Sequence, residues 1–157
     1  MQFDFVQAPF PHVVSMNSTE RQKIDLVDSQ KLTTAIAAHL KQEGKLNVPA
    51  WVGDVKTSSY KVYVPDNEDW FYVRAASIMR RLCKRRAGVG AMSKIYGGKT
   101  RKMVKPAISR RASKNPNRKA LQALETLGWL KMGSKGRVPT AEGINAVLNI
   151  ADLVLKM

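Results

Sequence analysis

The sequence is poor in the residues from which most catalytic and secreted proteins are built. Its 157 residues hold a single cysteine, Cys83, so no intrachain disulfide can form. Only His12 and His39 join it as soft ligands, which excludes a cysteine-rich zinc site and leaves no metal expected. Such cysteine usage fits a reducing compartment. No apolar run approaches the roughly 18–20 residues needed to cross a bilayer, so no membrane partner is expected. The opening MQFDFVQAPFPHVV has no basic start and contains Asp4, unlike a secretory signal. Without arginine it does not fit a mitochondrial transit peptide either. The most informative absence is longer: positions 71–119 contain no aspartate or glutamate.

Hydrophobic residues make up 44% of the chain, enough for one domain with its own core. The net charge is +15, far above what solubility requires. Its distribution is uneven. Residues 1–30 carry a net −2, residues 31–70 are neutral, residues 71–119 carry sixteen Lys/Arg and a net +16, and residues 120–157 carry +1. A short run of one sign is usually a solvated face. Forty-nine residues without an acid repel one another strongly enough that a neutralising partner is the better explanation, and that partner is a polyphosphate.

Residues 1–27 are an N-terminal extension, apolar and proline-broken at first, with no regular structure beyond one possible helical turn; Met16 is a possible second start. Residues 28–157 form a single domain. Asp28 or Ser29 caps a helix over about 30–43, with Leu32, Ala35, Ile36 and Leu40 on one face and Gly44 as its stop. Pro49 opens a short helix carrying Trp51 and Val52, and residues 58–64 are irregular. Asp66 caps a helix over about 67–86. At 100° per residue, Phe71, Tyr72, Ala75, Ala76, Ile78, Met79, Leu82 and Cys83 share one side. Arg74, Ser77, Arg80, Arg81, Lys84 and Arg85 share the other, a row of exposed cations whose reversal at Arg74 and Arg80 is expected to spare the fold.

The stretch GVGAMSKIYGGKTRKMVKPAISRRASKNP reads as a long basic loop. Asn115 and Pro116 then start a helix ending near Leu127, at Gly128. WLKM and RVP form a β-hairpin. Thr140 caps a last helix with Ile144, Val147, Leu148, Ala151 and Leu155 inward. Helix, hairpin, helix after a helical body predicts a mainly α, winged-helix-like domain with one short β-hairpin and a long basic loop.

Three features invite catalytic readings and fail them. SKIYGGKT has Gly98, Lys99 and Thr100 of a phosphate loop but Ser93 where the leading glycine belongs, and no acid follows to hold a metal. Cys83 lies on the apolar side of its helix, as a packing residue does. His39 borders an apolar face, and the acids form no pair placed for proton transfer. No catalytic residue, cofactor or small-molecule substrate is expected. Tyr96 sits among glycines and cations, where stacking on an unpaired base or a sugar is chemically suited. Gly97 and Gly98 there permit backbone N–H groups to approach phosphate.

LNVPAWVGDVKTS, DNEDWFYVRAASIMRRL, AGVGAMSKIYGGK, RKALQALETLGWL and GRVPTAEG resemble the nineteenth small-subunit ribosomal protein family of eukaryotes and archaea, from about Asp28 to Leu155. The resemblance implies a winged-helix-like, non-enzymatic protein of the small-subunit head. It further implies rRNA binding, support of small-subunit rRNA maturation and assembly, and translation as the process served. Neighbouring ribosomal proteins would be its protein partners, with no homo-oligomer, in the cytoplasm on the cytosolic ribosome, after nucleolar assembly if the source is eukaryotic. It implies that Arg74 and Arg80 hold rRNA, together with Arg118 or Lys119 near the start of the next helix. Residues before Met16 depart from the family pattern. With the charge map added, the expected RNA-binding set is Arg74, Arg80, Arg81, Lys84, Arg85, Arg86, Lys94, Tyr96, Lys99, Arg101, Lys102, Arg110, Arg111, Arg118 and Lys119. The competing reading is a winged-helix DNA-binding regulator. It would load the helix at 116–127 with cations, and only Arg118 and Lys119 are there.

Overall fold

The apolar periodicities become a helical body carrying two small hairpins in the computed structural model, which describes residues 16–133 and 136–156. Helix α1 spans Ser18–Leu26 and α2 spans Ser29–Glu43. The Asp28 carboxylate accepts from the Lys31 backbone N–H, the expected cap, and Gly44 ends α2 in the left-handed region at φ 63°. A 3₁₀ turn, Ala50–Gly53, follows Pro49 and buries Val52. The central helix α3 spans Trp70–Lys84. Phe71, Ala75, Ala76, Ile78, Met79, Leu82 and Cys83 are all buried, as the 100° pattern predicts, whereas Tyr72 is only half-buried and Trp70, outside that pattern, is buried at the start of the helix. Leu32, Ile36 and Leu40 of α2 pack against this side.

Helix α5, Lys114–Thr126, contributes Leu121 and Leu124, both fully enclosed. It closes with a Schellman turn: Trp129 N–H donates to the Leu124 carbonyl and Gly128 N–H to that of Glu125, with Gly128 at φ 85°. Strands β3, Leu130–Gly133, and β4, Gly136–Pro139, form the wing, with Leu130 opposite Pro139 and Gly133 opposite Gly136. Glu125 binds Arg137 through both carboxylate oxygens at 2.7 and 3.2 Å, tying the wing to α5. Thr140 caps α6, Ala141–Lys156, accepting from Gly143 N–H at 3.2 Å. Helix α5, wing and α6 are the winged-helix-like order.

Four expectations need correction. The polar end of the N-terminal extension is the nine-residue helix α1 and not a single turn. Met16, Ile24 and Val27 are buried in the common core, which pays the ordering cost of this helix; residues 1–15, including the apolar opening, lie outside the described residues. Helix α3 begins at Trp70, because Asn67 and Asp69 form a side-chain-bonded turn before it, and Asp69 rather than Asp66 is its cap residue. Helix α5 begins at Lys114 behind Ser113, so Pro116 occupies the third helical position, where its missing N–H still costs nothing. On α6, Ile150 is buried in place of Leu155, which is half-exposed.

The basic segment also holds more structure than a loop. Val89–Ile95 form a short helix, α4. Gly98–Thr100, β1, and Ile108–Arg110, β2, pair antiparallel, with Lys99 opposite Ser109. The fully buried Ser93 secures this unit: its hydroxyl donates to the Ala112 carbonyl at 2.9 Å, and Ala112 N–H returns a bond to the Ser93 carbonyl at 2.9 Å. Serine at 93, where a phosphate loop would need glycine, is therefore a packing hydrogen bonder.

Candidate nucleic-acid interface

Helix α3 presents its polar side in two directions. Arg74, Ser77 and Arg81, at helical spacing, face Tyr96 at the end of α4. The Arg74 guanidinium lies 4.0 Å from the Tyr96 ring centroid and that of Arg81 lies 5.6 Å away. The Tyr96 hydroxyl and the Ser77 hydroxyl share a 2.8 Å hydrogen bond, and the Tyr60 hydroxyl donates to the Tyr96 carbonyl at 3.1 Å. Arg74 Nη1 also donates to Asn117 Oδ1 at 3.3 Å, while the Asn117 amide donates to the Ser113 carbonyl. Asn117 is completely buried, so Arg74 satisfies an acceptor that would otherwise stand alone in the core. Burial pushes the Arg74 pKa down from its usual value, and the nearby Tyr96 and Tyr60 act in the other direction. A guanidinium keeps its charge through such shifts.

Arg80 and Lys84 turn the other way. Arg80 Nη1 donates to the Ser29 hydroxyl at 3.1 Å, at the start of α2. Its Nε is buried with no hydrogen-bond partner among the described residues. Lys84 pairs with Asp25 of α1. The predicted row of exposed cations is thus divided: Arg74 is half-buried and partnered, Arg80 and Lys84 brace the first two helices, and Arg81 stays exposed. The premise that Arg74 and Arg80 stand free on an exposed row does not hold, since both bond to other parts of the fold, and their reversal is expected to cost stability.

The remaining cations of the set lie outside the core. Arg85 and Arg86 follow α3 and are exposed, and Lys94 is exposed on α4. Lys99, Arg101, Lys102, Arg110 and Arg111 are exposed along the β1–β2 hairpin and its flanks. Arg118 and Lys119 are exposed on the early turns of α5, with Arg118 bonded to Asn115 at 2.9 Å. Lys105 and Lys114, equally exposed, belong with them; the acid-free stretch that marks the others marks these too. Tyr60 and Asn117, which position Tyr96 and Arg74, carry no signal in the sequence because their partners are 36 and 43 residues away. Among the described residues, Lys84 is the one cation of positions 71–119 in an ion pair.

The glycines beside Tyr96 have a packing role. A Cβ on Gly98 would lie 2.7 Å from the Tyr60 ring, and one on Gly97 would lie 2.7 Å from the Arg110 carbonyl oxygen. Both residues let the hairpin close against its neighbours. Cys83 is buried, and burial pushes its thiol up to about 12, far from a nucleophile's range. No group of three His, Cys, Asp or Glu is placed to hold a metal, and no helix is long and apolar enough to cross a membrane, among the described residues.

Known proteins are similar to this chain in sequence. The family model for ribosomal protein S19e matches residues 23–157. Small ribosomal subunit protein eS19A of Schizosaccharomyces pombe is 41% identical over 111 residues, covering 70% of this chain and 77% of the relative. Small ribosomal subunit protein eS19 of Argopecten irradians is 45% identical over 119 residues, covering 74% and 83%. Small ribosomal subunit protein eS19A of Drosophila melanogaster is 50% identical over 100 residues, covering 63% and 64%. The match takes in α2, α3, the basic hairpin, the wing and α6, and on it this chain belongs to the ribosomal protein S19e family.

Proposed function

We propose that the protein is a structural constituent of the small ribosomal subunit that binds rRNA in the subunit head and supports rRNA maturation and assembly there. One observation carries the rRNA reading: sixteen cations lie in a stretch with no acid, and the fold neutralises only Lys84 among them with a described carboxylate. Asp69, Glu125 and Asp152 bind lysines or an arginine from outside that stretch, and Glu43 lies beside His39. Fixed cations then set the register on phosphates, while folded RNA shape supplies specificity. The names of the relatives support the small subunit as the assembly, the cytosolic ribosome as the working location, and rRNA with neighbouring ribosomal proteins as the partners. In a eukaryotic cell, assembly would take place in the nucleolus.

Helix α5 favours RNA over duplex DNA as the ligand. Its exposed cations are confined to its first half, and Glu125 further along is committed to Arg137. The test compares structured small-subunit rRNA fragments with short duplex DNA at matched salt, because cationic binding depends steeply on ionic strength. Tighter binding to rRNA across the salt series, together with co-sedimentation with small subunits in high salt, is the expected result. Sequence-specific duplex binding that survives high salt would replace this reading with the regulator.

A further inference from the structure

An open cleft of about 950 Å³ runs along α3 on its Tyr96 side. One wall is α3 from Trp70 to Ser77, about 10 Å of helix. The other is the irregular chain from Tyr60 to Asn67. This wall is held in place from below: Ser113 N–H donates to the Thr57 carbonyl, the Ser58 hydroxyl donates to the Arg111 carbonyl, and Tyr60 bonds Tyr96. Its upper part is apolar and uncovered, with Val62 76% and Tyr63 81% exposed, and Val73 faces the same cleft from α3.

The charges lining the cleft are unequal. Lys61, Arg74 and Lys99 border it, against one acid, Asp66, beside the amide of Asn67. Arg74 arrives already oriented by Tyr96 and Asn117. A cleft with apolar and aromatic walls, three cations and a small set of donors and acceptors has the makings of a nucleotide site. Bases stack on the walls, phosphates meet the cations, and base edges meet Asn67 and Asp66. Duplex RNA would not fit, because its bases are stacked within the helix. The cleft also adjoins the acid-free interface, sharing Arg74, Tyr96 and Lys99 with it.

We propose that this cleft takes a short run of unpaired nucleotides from the bound RNA, with Tyr63 and Val73 as its base-contacting residues. The proposal rests on the rRNA-binding reading above and adds to it a second mode of contact, through bases as well as phosphates. The competing occupant is a segment of a neighbouring protein.

The experiment uses the full chain and deproteinised small-subunit rRNA, with affinity measured across a salt series. Val73→Trp plugs the cleft without altering charge, and Tyr63→Ala removes a wall whose side chain is exposed and is expected to leave the fold intact. Each is expected to weaken binding roughly tenfold, in line with one lost base stack, while the slope of log affinity against log salt stays at the wild-type value. If both variants bind like wild type, the cleft proposal fails and the rRNA reading stands. If they bind rRNA like wild type but do not enter small subunits, the occupant is a protein and the proposal is equally overturned. If wild type itself does not bind rRNA, the broader reading fails first. A Val73→Trp protein that does not fold leaves Tyr63→Ala to decide the matter.

Discussion

Arg74 and the β1–β2 hairpin carry the same charge and use it differently. Arg74 is half-buried, lies against an aromatic ring and bonds a fully buried asparagine. In the hairpin, every residue from Arg101 to Arg111 is exposed, and Met103 and Val104 at its tip are 91% exposed. The first cation is fixed before any ligand arrives and costs little further ordering on binding. The hairpin cations are presented on long exposed side chains, whose geometry a bound partner would have to set. An acid-free stretch therefore contains two devices, a cation built into the fold and cations left outside it, and we propose that loss of the first damages the fold while loss of the second damages only binding.

Breaking the first device gives the largest effect. Arg74→Glu places a carboxylate next to Asn117 Oδ1 and the Tyr96 ring, and should cost about 3 kcal/mol or more. For a chain of this size that is a fall in Tm of roughly 6–12 °C, measured by thermal denaturation. Arg74→Lys should recover most of the stability but not the stacking. An unchanged Tm in Arg74→Glu would erase the distinction drawn above.

The buried side of the same helix gives the next effect. The Cys83 thiol is raised from 9.0 to about 12, so it favours the fold fully below pH 9. As pH rises from 9 toward 12 the unfolded chain loses this proton first, and that stability is lost. At pH 10, one unit above the unfolded pKa, the loss is on the order of 1 kcal/mol. Cys83→Ala should flatten the alkaline limb of a stability–pH curve by that amount, since lysines and tyrosines titrate alike in both proteins. Tyr96→Phe removes the hydrogen bond to Ser77 and should cost about 1 kcal/mol, read from urea denaturation midpoints. Lys84→Ala breaks a partly exposed pair with Asp25 and should cost no more than about 1 kcal/mol, a difference that shrinks in high salt.

The sequence makes the first-order structure of this molecule legible wherever apolar period and a terminal signal agree. Asp28, Gly44, Gly128 and Thr140 all act at helix ends as their chemistry predicts, and the buried side of α3 follows from spacing alone. Starts are less legible where a competing turn intervenes, as at Asn67 before α3 and Ser113 before α5. Helix α1 is polar in composition and holds its place through Ile24 and Val27, a contribution visible only once the core exists. Within the site, charge location is fully readable, but partnership is not. Nothing local tells that Arg80 and Lys84 serve Ser29 and Asp25, or that Tyr96 spends its ring on Arg74, because those pairs are closed by tertiary packing. The second hairpin escapes sequence reading because its strands are three residues each, too short to show an alternating apolar pattern.

The most direct test of the two-device account is the salt dependence of rRNA binding by a protein in which Arg101, Lys102 and Lys105 are all changed to glutamine. These side chains are exposed and make no ion pair among the described residues, so Tm should stay within about 2 °C of wild type. If they contact phosphates, the slope of log affinity against log salt should fall by about 2, near 0.7 for each cation lost. A folded triple variant with the wild-type slope would contradict the claim that the exposed hairpin holds RNA.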